Sequence, residues 1–175
     1  MSLIEIIAVI FSLISVVYTV KKNIWSWISG IIGIVFYGII FYQTKIYSNL
    51  FLQFLFIGQS IYGIYNWKEN TDDGELKVET SKDKIKILLN TIFIFLLLRF
   101  VFRGNYKDMD AMTTSLSIVA MYLLSKRKIE NWILWIIADI IYIYMFFIQG
   151  LYLSSLLYLV FLILCIIGYK KWSNK

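Results

Sequence analysis

The sequence predicts an all-α membrane protein of seven transmembrane helices, arranged as two parallel three-helix repeats joined by a linker helix. Three observations carry that expectation. The 175 residues are 60% hydrophobic with a mean hydropathy of +0.75 and only 16% charge, whereas soluble domains are about 45–50% apolar and roughly 25% charged. A water-soluble domain of this size has too little interior to hide so much apolar surface. Apolar runs recur at about residues 3–20, 25–42, 48–66, 85–102, 109–125, 132–148 and 152–169, each near the roughly 17–25 residues that cross a bilayer as a helix. Finally, a shift of 105 residues lays one end of the chain on the other without a gap.

The first run begins at once, lacks a basic leader and is followed by Lys21 and Lys22 rather than a small-residue cleavage site. It therefore reads as a retained helix and not as a signal peptide. Glu5 in this run and Asp110 in the fifth occupy equivalent first turns. They suit the positive end of the helix dipole, or form an outward gate with Lys45 or Lys107. In the second run, Gly30 and Gly33 allow close packing or bending. The segment 68–84 is the only long polar stretch and reads as a mobile linker whose mixed charge has no site of its own. Asn90 in the fourth run reads as structural, and Asp108 and Asp110 make the fifth run the weakest span. Trp25, Trp27, Trp67, Trp132 and Trp172 fall near span ends, as interfacial anchors do. Gly63 and Gly168 suit close helix contacts. Lys126-Arg127-Lys128 reads as a topology signal that meets anionic lipid.

The net charge of +6 comes from 17 Lys+Arg against 11 Asp+Glu. A nucleic-acid binder would gather that charge on one folded face, but here it falls between apolar runs, so no nucleic-acid partner is expected. With seven spans, thirteen basic residues lie on one side, and only Lys45, Arg99, Arg103 and Lys107 on the other. The positive-inside rule then puts the N-terminus outside and the C-terminus in the cytoplasm. The absence of histidine removes imidazole base chemistry and His-liganded metals. The single cysteine, Cys165, excludes an intrachain disulfide or a thiolate cluster and, in apolar surroundings, reads as a helix-packing residue. No cofactor, metal site or catalytic residue is expected, and no Walker loop is present.

In the 105-residue register Glu5 falls on Asp110, Ser12 on Ser117, Lys21 on Lys126, Trp27 on Trp132, Tyr37 on Tyr142, Phe41 on Phe146, Phe56 on Phe161, Gly63 on Gly168 and Trp67 on Trp172. Apolar composition alone would not align aromatic residues and a glycine in one register. The chain therefore divides into a first repeat at 1–67, a cytoplasmic loop and linker helix at 68–107, and a second repeat with a short tail at 108–175. Three spans reverse orientation and the fourth restores it, so the repeats are parallel. Such duplication is common in secondary carriers, whose substrates bind near the midplane where repeats meet. A membrane binding or partner subunit without its own cycle is the competing class.

The segments Trp27-Ile28-Ser29-Gly30, Lys45-Ile46-Tyr47, Leu52-Gln53 and Tyr62-Gly63-Ile64-Tyr65-Asn66-Trp67 resemble the first half of the Pnu vitamin transporters. The second half adds Arg127-Lys128-Ile129-Glu130-Asn131-Trp132, Trp135, Asp139, Gly150-Leu151-Tyr152 and Gly168-Tyr169-Lys170-Lys171-Trp172. One departure is Ile28, where the family usually has proline, so a fixed kink there is not expected. The resemblance implies a SWEET-like architecture in a bacterial inner membrane. It implies facilitated uptake of nicotinamide riboside, drawn by cytoplasmic phosphorylation, with thiamine or another vitamin or nucleoside as alternative cargo. On oligomeric state only the resemblance speaks, and it suggests a homotrimer.

Candidate substrate residues follow from helix faces. Trp132, Trp135, Asp139 and Tyr142 lie at i, i+3, i+7 and i+10 of span 6. Two indoles, a carboxylate and a phenol suit a flat cationic aromatic ring such as the pyridinium of nicotinamide riboside or the thiazolium of thiamine. Trp132 is alternatively an interfacial anchor. A carboxylate in mid-span is costly and faces a partner or a cavity, so Asp139 is either a pocket or gate residue or a helix-packing link. On span 3, Asn49 and Gln53 share a face, with Ser154 and Tyr158 as their mates in span 7. Amides there read ribose hydroxyls or a carboxamide, or else join helices. Gln59, off that face, and Tyr37, the mate of Tyr142, complete the set.

Overall fold

The computed structural model describes residues 3–43, 47–72 and 75–174, with the side chains of 47–49 outside the description. The described residues are all-α apart from one short hairpin. Seven helices run in order, α1 (Leu3–Val20), α2 (Trp25–Gln43), α3 (Tyr47–Glu69), α4 (Lys84–Val101), α5 (Lys107–Ser125), α6 (Asn131–Ile148) and α7 (Tyr152–Ser173). Between α3 and α4, β1 (Thr71–Asp72) pairs antiparallel with β2 (Glu75–Leu76). Among the described residues α1, α2, α6 and α7 are long and apolar enough to cross a membrane. The other three are diluted by polar residues, such as Gln53 and Gln59 in α3, Lys84 and Lys86 in α4, and Asp108 and Asp110 in α5. Moved by 105 residues, α1, α2 and α3 become 108–125, 130–148 and 152–174, each within one residue of α5, α6 and α7.

The chain forms two compact units. The first holds residues up to Lys77 together with Ser125–Arg127. In it, α2 packs against both α1 and α3. Small residues set the α1–α2 approach: Ser15 Oγ donates to the Ser26 carbonyl (2.7 Å), and a Cβ on Gly33 would stand 3.0 Å from Ser12 Oγ. At the α2–α3 contact the Trp27 indole lies where a Cβ of Gly63 would be. Trp67 meets Trp27 edge-on, at 5.3 Å between ring centroids and 83° between planes.

The second unit holds Val78–Leu124 and Lys128–Lys175. Here α6 packs on α7, and the same contact recurs. A Cβ on Gly168 would lie 2.5–2.6 Å from three atoms of Trp132, and Trp172 meets Trp132 edge-on at 5.4 Å and 87°. Four of the five tryptophans expected as interfacial anchors are thus interior: Trp27, Trp67, Trp132 and Trp172 are buried, while Trp25 is 57% exposed. The reason is local, because each terminal indole has a facing glycine or a second indole to close against. Helix α4 buries only Thr91. Arg99 in α4 pairs with Asp108 in α5 at 2.7 Å. That ion pair, rather than one from Asp110 to Lys107, is found at this end, and Lys45 lies outside the described residues.

Residues 68–72 and 75–84 make specific contacts, where a mobile linker is expected to make none. In the first unit, Leu76 is buried, and Arg127 donates to Asn66 Oδ1 (3.0 Å) and to the Lys77 carbonyl (2.9 Å). In the second, the Ile129 amide donates to the Glu79 carbonyl (3.0 Å), and Lys128 pairs with Glu79 (2.6 Å). The Ser81 amide donates to both oxygens of the buried Glu130 carboxylate (2.9 and 3.0 Å). The mixed charge of the segment is what these bonds use. Lys126-Arg127-Lys128 is likewise engaged with protein rather than held open for lipid, since Lys126 Nζ sits 4.9 Å above the Tyr62 ring.

Helix α1 ends in a left-handed residue, Lys22 at φ 56°, with the Lys22 amide bonded to Thr19 and the Asn23 amide to Tyr18. This is a Schellman ending, for which glycine is the usual residue. Its mate Arg127, at φ 58°, ends α5 with the Lys128 amide bonded to the Leu123 carbonyl. Lys22→Gly relieves the left-handed strain and is expected to stabilise the protein by about 0.5–1 kcal/mol. Thermal denaturation in detergent checks this, with a raised Tm as the expected result.

Candidate functional site

Helix α6 carries four of the predicted substrate residues. Trp132 is enclosed by Gly168 and Trp172, so its ring serves the α6–α7 contact. Trp135, one turn further along, is half-buried. Asp139 is 3% exposed and Cys165 on α7 is 4% exposed. The Cys165 thiol lies beside the Asp139 carboxyl group. Among the described residues Asp139 Oδ2 has no partner. In an apolar surround an unpaired carboxyl oxygen is costly.

Tyr142 is held from two sides. Its hydroxyl lies beside those of Thr113 and Ser117 on α5. Those two hydroxyls also donate within their own helix, Thr113 to the Met109 carbonyl (3.0 Å) and Ser117 to the Thr113 carbonyl (2.8 Å). Its ring lies 4.4 Å from Tyr158 on α7 and stacks on Phe146 at 5.8 Å and 10°. Phe146 is 5.3 Å and Phe161 5.7 Å from Tyr158. The structure thus brings Tyr142 and Tyr158 into one aromatic cluster and places Asp139 one helical turn before Tyr142.

In the first unit, Tyr37 stacks on Phe41 at 6.3 Å and 22°, repeating the Tyr142–Phe146 pair. Gln53, the mate of Tyr158, rests its stem 3.9 Å from where a Cβ of Gly38 would be. Gln53 and Gln59 are half-buried. The side chain of Asn49 lies outside the described residues. Among the described residues no three His, Cys, Asp or Glu side chains gather as for a metal ion.

Sequence reasoning missed Thr113, Ser117 and Cys165. The signal for the first two was available in their spacing from Asp110, at i+3 and i+7 on one face of α5. Cys165 was read as packing because nothing local points a thiol at a carboxylate 26 positions away.

Seven helices among the described residues, four of them long and apolar enough to cross a membrane, with a duplicated set of helix ends, mark a multi-helix membrane protein. The comparisons with known proteins identify its family. Residues 2–174 match the nicotinamide mononucleotide transporter family, and the chain belongs to it. It is 29% identical over 206 residues to the nicotinamide riboside transporter PnuC of Escherichia coli (strain K12), covering 99% of this chain and 86% of that protein. It is 22% identical to the riboflavin/roseoflavin transporter RibM of Streptomyces davaonensis, covering 96% and 83%. Among solved structures, that of the vitamin B3 transporter PnuC superposes with a TM-score of 0.75 at 22% identity, over 98% of this chain and 80% of that one. The chain is therefore a multi-pass membrane transporter of a small vitamin or nucleoside, and not an enzyme.

Proposed function

We propose that this chain is a facilitator for uptake of nicotinamide riboside, drawn inward by phosphorylation of the cargo in the cytoplasm. The observation that carries this reading is the unpartnered Oδ2 of buried Asp139, next to Trp135 and Tyr142 on α6. A carboxylate beside aromatic rings suits a cargo that is both a cationic ring and a donor of hydroxyl protons, and nicotinamide riboside is both. The E. coli relative supports the same cargo. In this reading Trp135, Asp139, Tyr142 and Tyr158 of the second repeat meet the cargo. Trp132 backs the site through Gly168.

The architecture proposed with it is SWEET-like. Repeats at 1–67 and 108–175 flank a linker at 68–107 that contains α4, and all seven helices cross a bacterial inner membrane with the N-terminus outside. The matched ends of α1–α3 and α5–α7 and the recurring tryptophan–glycine contact support it.

Purified protein is expected to show a thermal shift with nicotinamide riboside larger than with thiamine, riboflavin or nucleosides. Empty proteoliposomes holding only this protein are expected to equilibrate labelled nicotinamide riboside without added energy. Tight binding with no flux would instead indicate a binding subunit, and a larger shift with thiamine would reassign the cargo. Asp139→Asn is expected to weaken affinity for nicotinamide riboside about tenfold, the loss of one charge-assisted hydrogen bond. Trp135→Ala is expected to weaken it about 30-fold, from loss of ~2 kcal/mol of cation–π contact. Calorimetric titration reads both, and unchanged affinity in both removes α6 from the site.

A further inference from the structure

Among the described residues, Asp139 alone of the Lys, Arg, Asp and Glu side chains lies inside a helix more than four residues from its ends. It is the ninth of the 18 residues of α6, roughly 12–14 Å along the axis from either end. The chain has no histidine, and none of the seven helices carries a lysine or arginine beyond its first or last turn. No basic side chain therefore sits at the depth of Asp139, however the helices pack. Its mate in the first repeat is Ile34, so duplication brings no second charge.

The Asp139 side chain is enclosed, at 3% exposure, and its Oδ2 has no partner among the described residues. The titratable groups around it are Cys165 on α7 and Tyr142 one turn along α6, with Tyr158 on α7 and Asp110 on α5 next to Tyr142. A thiol, two phenols and a second acid supply no positive charge. An isolated carboxylate in an apolar medium is so costly that the group is neutralised instead. With no lysine, arginine or histidine in reach, two positive species are left to do this, a proton and the cationic ring of the cargo. Both need the same carboxyl oxygens.

We infer that Asp139 is the site of a cation-for-proton exchange: with the site empty it holds a proton, and entry of the cationic cargo displaces that proton to water. The inference rests on the proposed assignment of Asp139 to the substrate site. In the step the carboxyl O–H bond breaks, its electron pair stays on oxygen as the carboxylate charge, and the proton leaves to solvent. The net charge of the site is the same empty and loaded. The membrane potential then does no work on the exchange, because work requires a difference in charge carried across.

A proton released on binding means that low pH competes with the cargo. Affinity for nicotinamide riboside, whose pyridinium charge does not titrate, is expected to rise about tenfold per pH unit on the acid side and to level off once the empty site ionises. Titration calorimetry at acid pH, in two buffers of different ionisation enthalpy, is expected to count about one proton released per nicotinamide riboside bound. Asp139→Asn is expected to release none and to lose the pH dependence. In proteoliposomes, an interior-negative potassium diffusion potential is expected to leave wild-type uptake unchanged and to speed uptake by Asp139→Asn.

A wild-type protein that releases no proton and binds equally at every pH overturns the inference, as does wild-type uptake that follows the potential. Weak binding by Asp139→Asn alongside either result makes Asp139 a permanent carboxylate of the site, and the proposed assignment stands. Wild-type affinity in Asp139→Asn at neutral pH removes Asp139 from the site and ends the exchange with it. The proton count and the voltage test use the wild-type chain, so they decide the matter even if the variant does not fold.

Discussion

Gly168→Leu is expected to yield no stable monodisperse protein, and Gly168→Ala to lower Tm by several degrees. A Cβ at this position would stand 2.5–2.6 Å from three atoms of the Trp132 ring, far inside van der Waals contact. The ring cannot swing aside, because it is 1% exposed and Trp172 closes its edge at 5.4 Å. Overpacking a tight contact costs about 1–3 kcal/mol for a methyl-sized change and more for a larger one. Gly63→Ala is expected to behave alike, since the Trp27 indole fills the corresponding space. Fluorescence-detected size exclusion after heating measures all three variants. Recovery of Gly168→Ala by a second change, Trp132→Leu, would tie the loss to this contact. A wild-type Tm for both alanine variants would show that the helices separate at low cost.

Arg127→Ala is expected to destabilise the protein by about 3 kcal/mol. The side chain is 7% exposed and donates to Asn66 Oδ1 and the Lys77 carbonyl. Removing it orphans two acceptors, each at about 1–3 kcal/mol when buried. Relief of the φ 58° backbone returns a smaller amount, so Arg127→Gly is also expected to be destabilising. Lys22→Gly, at the equivalent backbone position, is expected to have the opposite sign. Limited proteolysis gives a second reading, with cleavage within 70–81 expected to accelerate in Arg127→Ala and to stay slow in Lys22→Gly. Equal signs for the two glycine variants would mean that the Arg127 bonds contribute nothing.

Apolar run length and the 105-residue register were enough to place all seven helices, and α1 matched its predicted bounds at both ends. What they could not settle was the direction of each apolar residue, because lipid and helix neighbours ask for the same side chains. Trp27 and Trp132 read as interfacial anchors for that reason. The glycine that accepts each lies 36 residues further along the chain, and only the shared register links them. The charged segment 68–84 misled differently. Its composition is that of a solvated linker, and the bonds that Lys77 and Ser81 make go to Arg127 and Glu130, more than 40 residues away. At the candidate site, Asp139 stood out because a carboxylate is conspicuous in an apolar span. Cys165, Thr113 and Ser117 did not, because a thiol or a hydroxyl can bond its own helix backbone, as Ser60 does, and reveal nothing of its neighbours.

The edge-on tryptophan pairs give the protein a built-in optical reporter. Two indoles held 5.3 or 5.4 Å apart at near right angles couple their electronic transitions. The near-ultraviolet circular dichroism should therefore carry two strong contributions of similar shape, one from each compact unit. Trp27→Phe silences the first and Trp132→Phe the second. A spectrum followed during heating, or during titration with a vitamin, can then be divided between the units without any added label.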